Sequence, residues 1–312
     1  MNANFSHIRA WWLRAMAISL CTLWVALPGA ADDLPLLPEQ ESHPFEDARH
    51  KSLKGARALG DWLDELGYTL AGVRQGDAVP ALFALDLPED LAAAPLRAKD
   101  SDFIRLLLPN ILAVNAQISA VRTRLEGLVA LSPANRTEAE QTWLAGLLAH
   151  YGLGHEVTDK ALEQLLLQLD VIPVGMMLAQ GTDESGWGTS HFAVAGDALY
   201  GEHNPRGHKH YLTTRGGHVE VAAFNSLFEG TAAYVYNLNT VKAYQPMWEA
   251  RRALKAQHRL TGYQLVGSLE RYSTRGKDYV RDLRNLITHH QLDAYDEAVL
   301  GNERATLVQF ER

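Results

Sequence analysis

The sequence has almost no cysteine: Cys21 is the single one among 312 residues. It lies in an uncharged, mostly apolar run at residues 15–27. If that run is removed from the mature protein, the remaining chain has no thiol, which excludes disulfides and cysteine-ligated metal sites. Stability then has to come from a hydrophobic core, and 47% of the residues are hydrophobic.

A basic start precedes the apolar run, and small residues follow it. Arg9 and Arg14 stand before the run, and residues 28–31 (Pro-Gly-Ala-Ala) separate it from Asp32. This order is typical of a secretory signal peptide, and the run is too short to span a bilayer comfortably as a retained anchor. We therefore expect a signal peptide at residues 1–31 and a periplasmic or secreted protein.

Positive charge is also scarce. The sequence has 29 Lys and Arg against 37 Asp and Glu, which gives a net charge of −8 at pH 7. Residues 1–31 hold two Arg and no acid, so the mature chain has 27 basic and 37 acidic residues, a net charge of −10. Nucleic acids bind to basic surfaces, so this balance argues against a nucleic-acid partner.

The rest of the chain divides into three segments by sequence pattern. Residues 32–99 combine prolines, acids, a helical pattern at 45–70 and an irregular stretch at 72–95, and they indicate no function. In residues 100–155, apolar side chains recur at steps of three and four on either side of a turn, which predicts a helical hairpin. Residues 156–300 follow as the largest segment, and they hold the candidate catalytic residues.

The most informative stretch is residues 174–188, VGMMLAQGTDESGWG, which predicts a helix ended by glycines. Gln180 and Glu184 are four residues apart and therefore share one face of this helix. Trp187 stands between the closing glycines and is free to lean over the opening beyond the helix. A carboxyl group beside an indole is suited to general acid catalysis, because an apolar neighbour raises its pKa. The same pattern also fits a solvated Glu at a fraying helix end.

The residues around Glu184 also carry a resemblance. Residues 179–190, AQGTDESGWGTS, resemble the signature Ala-Gln-x-x-x-Glu-Ser-x-Trp-Gly-x-Ser of the bacterial glucosaminidase family of peptidoglycan hydrolases. Residues 198–201, ALYG, stand where such proteins usually have Asn-Leu-Phe-Gly. Residues 103–125 and 224–279 are similar to the Bax-like branch of this family.

The resemblance implies a fold and an activity. It implies a mainly α fold: a lysozyme-like helical catalytic domain with a small β-hairpin lobe, preceded by the helical hairpin. It also implies an endo-β-N-acetylglucosaminidase that cleaves peptidoglycan glycan strands after N-acetylglucosamine, with Glu184 as the general acid. The Ala at position 198 departs from the family pattern and removes one side-chain hydrogen bond that an Asn would make.

A second catalytic group is needed to stabilise the sugar cation, and the sequence leaves two routes open. Relatives with a second carboxylate carry it on the hairpin after the signature, where this chain has Glu202 and Glu220. In the other route the 2-acetamido group of the sugar attacks its own anomeric carbon. Tyr272, which matches the first Tyr of the family segment Tyr-Ala-Thr-x-x-x-Tyr, then orients the acetamide or water. We favour the second route.

The remaining site predictions concern the substrate, cofactors and metals. Trp187 and Tyr200 are predicted to stack on sugar rings, because an aromatic face suits the apolar face of a pyranose, and Gln180 is predicted to bind substrate from the Glu184 helix. No cofactor is implied, and no metal site is predicted, because the clustered histidines lack a helical pair with an acidic partner. These histidines are His203, His208, His210 and His218.

Two other functions remain open. Lytic transglycosylases also use one Glu in a Glu-Ser context, but their usual downstream Gly-Leu-Met-Gln motif is absent from this sequence. A non-catalytic wall-binding protein would keep the fold and the groove without the reaction, and the intact Glu-Ser-Gly-Trp-Gly core argues against it. An analysis of products distinguishes all three, because a transglycosylase leaves an anhydro-sugar end and a binding protein leaves no product.

If residues 1–31 are a cleaved signal peptide, the exported mature protein begins near Asp32. Amino-terminal sequencing of the protein isolated from its native compartment checks this expectation. A membrane-bound form that still begins with Met1 would instead indicate a retained anchor.

Overall fold

The computed structural model describes residues 34–40, 45, 47–202, 210–214, 217 and 220–311. The predicted signal peptide with Cys21 lies outside the described residues, as do His203, His208 and His218. The described residues from Leu34 onward form one compact unit. The predicted segment boundaries at residues 99 and 155 therefore lie inside one unit. That the segments on either side of them have different roles remains a prediction.

The described part of the chain is mainly helical, which confirms the predicted fold class. Its helices, in chain order, are α1 (Gly55–Glu65), α2 (Leu70–Arg74), α3 (Leu96–Val129), α4 (Glu138–His150), α5 (Asp159–Gln168), α6 (Val174–Ser185), α7 (His191–Gly196), α8 (Leu227–Thr240), α9 (Gln245–Ala256), α10 (Gly262–Leu265) and α11 (Lys277–His290). Its strands are β1 (Arg49–Leu53), β2 (Leu82–Ala84), β3 (Tyr211–Thr213), β4 (Glu220–Ala222) and β5 (Thr306–Phe310).

The predicted β-hairpin and helical hairpin are both present. Strands β3 and β4 pair in antiparallel register, with Leu212 opposite Val221. Helices α3 and α4 follow each other across a short connection, and Arg124 on α3 bonds Glu140 on α4 at 2.7 Å. Glu140 also completes the capping box that opens α4.

A small parallel sheet was not predicted from the sequence. Strand β5 lies between β1 and β2 and pairs in parallel with both. The helical pattern expected over residues 45–70 is therefore wrong at its start, where β1 precedes α1, and residues 72–95 contain β2 rather than only irregular chain. The strands are short, and each pairs with a segment more than 200 residues away, so local patterning carries no signal for them.

Helix α3 is the central support of the fold. Its residues 102–114 are all buried, and it packs against α6, α8 and β2. Among the helices of the described part, α3 is the one long and apolar enough to cross a membrane, but 72% of its apolar window is buried inside the protein. A core helix passes the same test of length and composition, and the burial of α3 identifies it as one.

Helix α6, which carries Glu184, is held tightly at its amino end. The Gly175 N–H donates to Asp296 Oδ1 (2.8 Å), and the Gly262 N–H donates to Oδ2 of the same carboxylate (3.3 Å). Burial raises the pKa of Asp296 to about 7, although the Gly175 hydrogen bond opposes that rise. A Cβ atom on Gly262 would lie 2.4 Å from the Met176 nitrogen, so only glycine permits this close approach.

The carboxyl end of α6 is closed by a left-handed residue, as the glycines in the sequence predict. Gly186 has φ +57° and is the C-cap of the helix. The Ser185 hydroxyl donates to the Gly181 carbonyl (2.5 Å) and accepts from the Gly188 N–H (2.8 Å). These bonds fix the turn that follows Glu184 and, with it, the position of the carboxyl group.

Candidate active site

Glu184 lies on the last turn of α6 and is half-buried. Gly201, with φ +65°, faces it from the chain after α7: a Cβ atom there would lie 3.5 Å from Glu184 Oε2. Its backbone conformation favours glycine, whereas the space in front of the carboxyl group would admit a Cβ atom in ordinary van der Waals contact. The family-like Gly201 therefore sets the path of the chain that passes Glu184.

The surroundings of Glu184 favour its protonated form. Its pKa is raised, chiefly by burial; hydrogen bonding from Tyr279 lowers it, the neighbouring Asp183 raises it, and the positive charge of Arg275 lowers it. Two contacts hold the Arg275 side chain in place. Its guanidinium forms an ion pair with Asp183 and lies 4.7 Å from the Tyr279 ring centroid. A carboxyl group with a raised pKa is what a general acid requires.

Gln180, predicted to bind substrate, lies inside the core. It is 0% exposed, and both ends of its amide are used: Nε2 donates to the Tyr279 hydroxyl (2.9 Å) and Oε1 accepts from the Tyr234 hydroxyl. From this position it supports Tyr279 and does not reach a sugar. Tyr279 is itself buried, and hydrogen bonding from it is one of the causes that lower the pKa of Glu184.

Tyr272 lies near Glu184, whose charge is among the causes that raise the pKa of Tyr272, and its cleft role stays a prediction. Its hydroxyl donates to the Tyr200 carbonyl (3.0 Å), and its half-buried ring stacks on Tyr279 at a centroid distance of 5.5 Å. Tyr244 stacks on its other side at 5.9 Å. No role for Tyr244 follows from the sequence pattern, although the residue lies in the family-like stretch at residues 224–279. Three tyrosines therefore form a continuous ladder from the buried side of the site to its open side.

Glu202 is the second carboxyl group at this site. It is half-buried and accepts a hydrogen bond from the Asn237 amide (2.9 Å), and burial raises its pKa to about 7. The pKa of Tyr272 and that of Tyr244 are both raised, first by burial and then by the charges of Glu184 and Glu202. Both carboxyl groups are therefore near enough to the same two tyrosines to raise their pKa values.

Glu220, the other candidate for the second carboxylate, has a different position. It is exposed on β4, in register with Thr213 on β3, while the next two residues of the strand are buried. The charges that raise the pKa values of Tyr272 and Tyr244 are those of Glu184 and Glu202, and Glu220 is not among them. Glu202 therefore lies closer to these two tyrosines than Glu220, which is exposed on β4.

The two predicted stacking residues differ in access. Tyr200 is 2% exposed and stacks on Tyr234 at 3.8 Å, so it is a core aromatic and offers no face to a sugar. Trp187 is half-buried with φ +61°, and its ring contacts His290 (4.7 Å) and Phe103 (6.2 Å) edge-on. Trp187 remains a predicted sugar-binding residue, whereas the burial of Tyr200 argues against that role.

The histidines offer no metal cluster in the described part of the chain. His210 is exposed just before β3, and no group of three His, Cys, Asp or Glu side chains among the described residues is arranged to hold a metal ion. The groups available for chemistry at this site are two carboxyl groups and three stacked tyrosine rings, near the carboxyl end of α6.

The family described as Mannosyl-glycoprotein endo-beta-N-acetylglucosaminidase, named Glucosaminidase, matches residues 159–292. The chain is 32% identical to Protein bax of Escherichia coli over 199 residues, which is 60% of this chain and 71% of that protein. It is also similar to the crystal structure of the catalytic domain of the autolysin Auto from Listeria monocytogenes, with 18% identity, a TM-score of 0.31, and coverage of 56% of this chain and 96% of that one. The family match contains α6 and α11, and the sequence relationship extends well beyond it: this chain belongs to the bacterial glucosaminidase family, in its Bax-like branch.

Proposed function

We propose that this protein hydrolyses the glycosidic bond that follows N-acetylglucosamine in peptidoglycan, with Glu184 as the general acid. The observation that carries the proposal is the half-buried Glu184 carboxyl group, held at the end of α6 with a raised pKa and next to the chain at Gly201. A carboxyl group that stays protonated can give its proton to a leaving sugar oxygen. Family membership supports the substrate class.

In the proposed first step, Glu184 gives its proton to the glycosidic oxygen as the bond between that oxygen and the anomeric carbon breaks. The carbonyl oxygen of the 2-acetamido group forms a bond to the anomeric carbon in its place. In the second step, water attacks the anomeric carbon, displaces the carbonyl oxygen and returns a proton to Glu184. The site needs no permanently charged second carboxylate on this route.

Two features of the site support the acetamido route. Glu202 has a pKa of about 7, so it is uncharged in about half of the molecules near neutral pH and is a poor permanent anion. Tyr272 donates its own proton to the Tyr200 carbonyl, which leaves its hydroxyl oxygen as an acceptor. We propose that this oxygen accepts the N–H of the acetamido group and orients its carbonyl toward the anomeric carbon.

The organisation of the chain follows the same proposal. Residues 1–31 direct export to the periplasm or beyond, where the peptidoglycan lies. Residues 156–300 form the catalytic domain. Residues 100–155 provide the helical hairpin, whose first helix, α3, packs against α6. Residues 32–99 contribute the two outer strands of the parallel sheet, and their proposed role is to brace this domain.

Glu184→Gln tests the general acid. Glutamine keeps the size of the side chain but has no acidic proton to give, and general acid catalysis is typically worth about 10²–10⁴-fold. We therefore expect at least a roughly hundredfold loss of peptidoglycan hydrolysis, with little change in melting temperature, because a half-exposed side chain contributes little to the core. In the wild type, activity falls as pH rises through the elevated pKa of Glu184, because the acid has to be protonated to act.

Glu65→Gln is the matched control for this experiment, since the same change is made on the last turn of another helix, α1, at an exposed residue with no proposed role. A Glu184→Gln protein that still clears peptidoglycan at nearly the wild-type rate would refute the assignment.

Glu202→Gln, Glu220→Gln and Tyr272→Phe together test the acetamido route. Each glutamine variant is expected to keep measurable activity. Tyr272→Phe is expected to lower kcat more than it raises KM, because a hydrogen bond made mainly in the transition state shows in kcat. Steady-state kinetics on defined glycan fragments measures both constants. Near-complete loss of activity in either glutamine variant, with an unchanged circular dichroism spectrum, contradicts this route.

A further inference from the structure

A cavity of about 510 Å³ lies between α1 and the first turns of α3, and none of its lining residues belongs to the candidate active site. Its volume is within the range of about 300–1,000 Å³ that is usual for small-molecule sites. Alanines and a proline form its apolar walls, among them Ala56 on α1 and Ala98 on α3. Its charged lining residues are Arg57, Asp61, Asp64, Asp90, Asp102 and Arg105.

The charges of these lining residues do not cancel. Arg57 and Asp61 pair with each other at an exposed position (3.9 Å). The other guanidinium, that of Arg105, is shared: Nη1 donates to Asp64 Oδ1 (2.7 Å), and Nη2 donates to Asp102 Oδ1 (2.5 Å). Four carboxyl groups therefore meet two guanidinium groups, and the cavity has a net charge of −2 when all of them are ionised.

Asp102 brings a buried carboxyl group to the cavity. It is 2% exposed and its partner Arg105 is 6% exposed. Arg105 occupies Asp102 Oδ1, whereas Oδ2 has no hydrogen-bond or ion-pair partner within the described residues. Burial raises the pKa of Asp102, and Arg105 opposes that rise. A carboxylate that is withdrawn from water with one oxygen unpartnered favours a ligand that donates to this oxygen.

Two glycines of α1 leave space in front of carboxylate oxygens of the cavity. A Cβ atom on Gly60 would lie 3.1 Å from Asp102 Oδ2, and one on Gly55 would lie 2.6 Å from Asp90 Oδ2. Asp90 uses its other oxygen, Oδ1, to accept from the Ala56 N–H (2.7 Å). Glycine inside a helix is destabilising relative to alanine, so Gly60 does not serve the stability of α1 by itself. Its missing side chain leaves Asp102 Oδ2 uncrowded.

We propose that this cavity binds a primary ammonium group carried on a short apolar stem, with Asp102 Oδ2 as its acceptor and the alanine walls around the stem. An ammonium group brings a positive charge and three donors, which match the net negative charge and the unpartnered oxygen. A metal ion fits less well, because no group of three His, Cys, Asp or Glu side chains in the described part of the chain is arranged to hold one.

Two sources supply this chemistry: the side-chain amine of a diamino acid in a peptidoglycan peptide stem, and a free polyamine. The site goes beyond the proposed function, because none of its residues takes part in the cleavage. It also gives α1, in the segment at residues 32–99, a binding role in addition to its place in the fold.

Calorimetric titration of the full mature chain tests the proposal with three probes. The first is the stem peptide L-Ala-γ-D-Glu-L-Lys with an acetylated amino terminus, the second is the same peptide with its lysine side chain also acetylated, and the third is cadaverine. We expect binding of an ammonium probe and none of the doubly acetylated peptide, which has lost the positive charge. Binding of the stem peptide alone assigns the site to peptidoglycan, and binding of cadaverine assigns it to free amines as well.

Asp102→Asn and Gly60→Ala test the assigned position. Each is expected to weaken binding by at least about tenfold, because a hydrogen bond to a charged group is worth that much or more and the added methyl group of Ala crowds the same oxygen. Gly146→Ala is the matched control: it makes the same change on α4, where a Cβ atom would have no atom within 4 Å. Its affinity is expected to equal that of the wild type.

The proposal is overturned if neither ammonium probe binds at millimolar concentration, or if acetylation of the lysine side chain leaves the affinity unchanged. A folded Asp102→Asn that binds as tightly as the wild type also overturns it. If Asp102→Asn does not fold, Gly60→Ala decides in its place. The titration involves no cleavage of peptidoglycan, so failure of this inference and failure of the proposed function are separate results.

Discussion

The site depends on one constraint: hydrogen bonds hold helix α6 at both of its ends. At its amino end the half-buried Asp296 carboxyl group accepts from the backbone N–H of Gly175 and from that of Gly262, where its negative charge, when present, also suits the positive end of the helix dipole. At its carboxyl end Ser185 fixes the turn. Glu184 therefore emerges from a rigid support, and its environment is set by the fold rather than by its own flexibility.

Three stacked tyrosine rings extend from the surroundings of helix α6 to the open side of the site. The rings of Tyr279, Tyr272 and Tyr244 stack in that order from the buried side to the open side, and the charges of Glu184 and Glu202 raise the pKa values of the outer two. Burial withdraws water from both carboxyl groups and raises the pKa of each. The proposed acid and the proposed surface for an acetamido group thus come from the same few side chains.

The sequence predicts the features that depend on local pattern, and it misses those that depend on distant packing. Helix α6, its glycine end and the position of Glu184 follow from periodicity and from the family-like signature. The burial of Gln180 and Tyr200 does not, because it is created by Tyr234 on α8. The same reason explains the unpredicted sheet, in which β5 pairs with strands far away in the chain. The position of Gln180 on the helix of Glu184 predicts a ligand-binding group, whereas packing buries it and directs its amide to Tyr279 and Tyr234.

The measurement that tests this account most directly is mass spectrometry of the fragments that the purified mature protein releases from peptidoglycan. The account predicts fragments with N-acetylglucosamine at a free reducing end, because water completes the reaction at the anomeric carbon of that sugar. Fragments ending in an anhydro-sugar would contradict it in favour of a transglycosylase, and stable binding with no released fragment would contradict it in favour of a wall-binding protein.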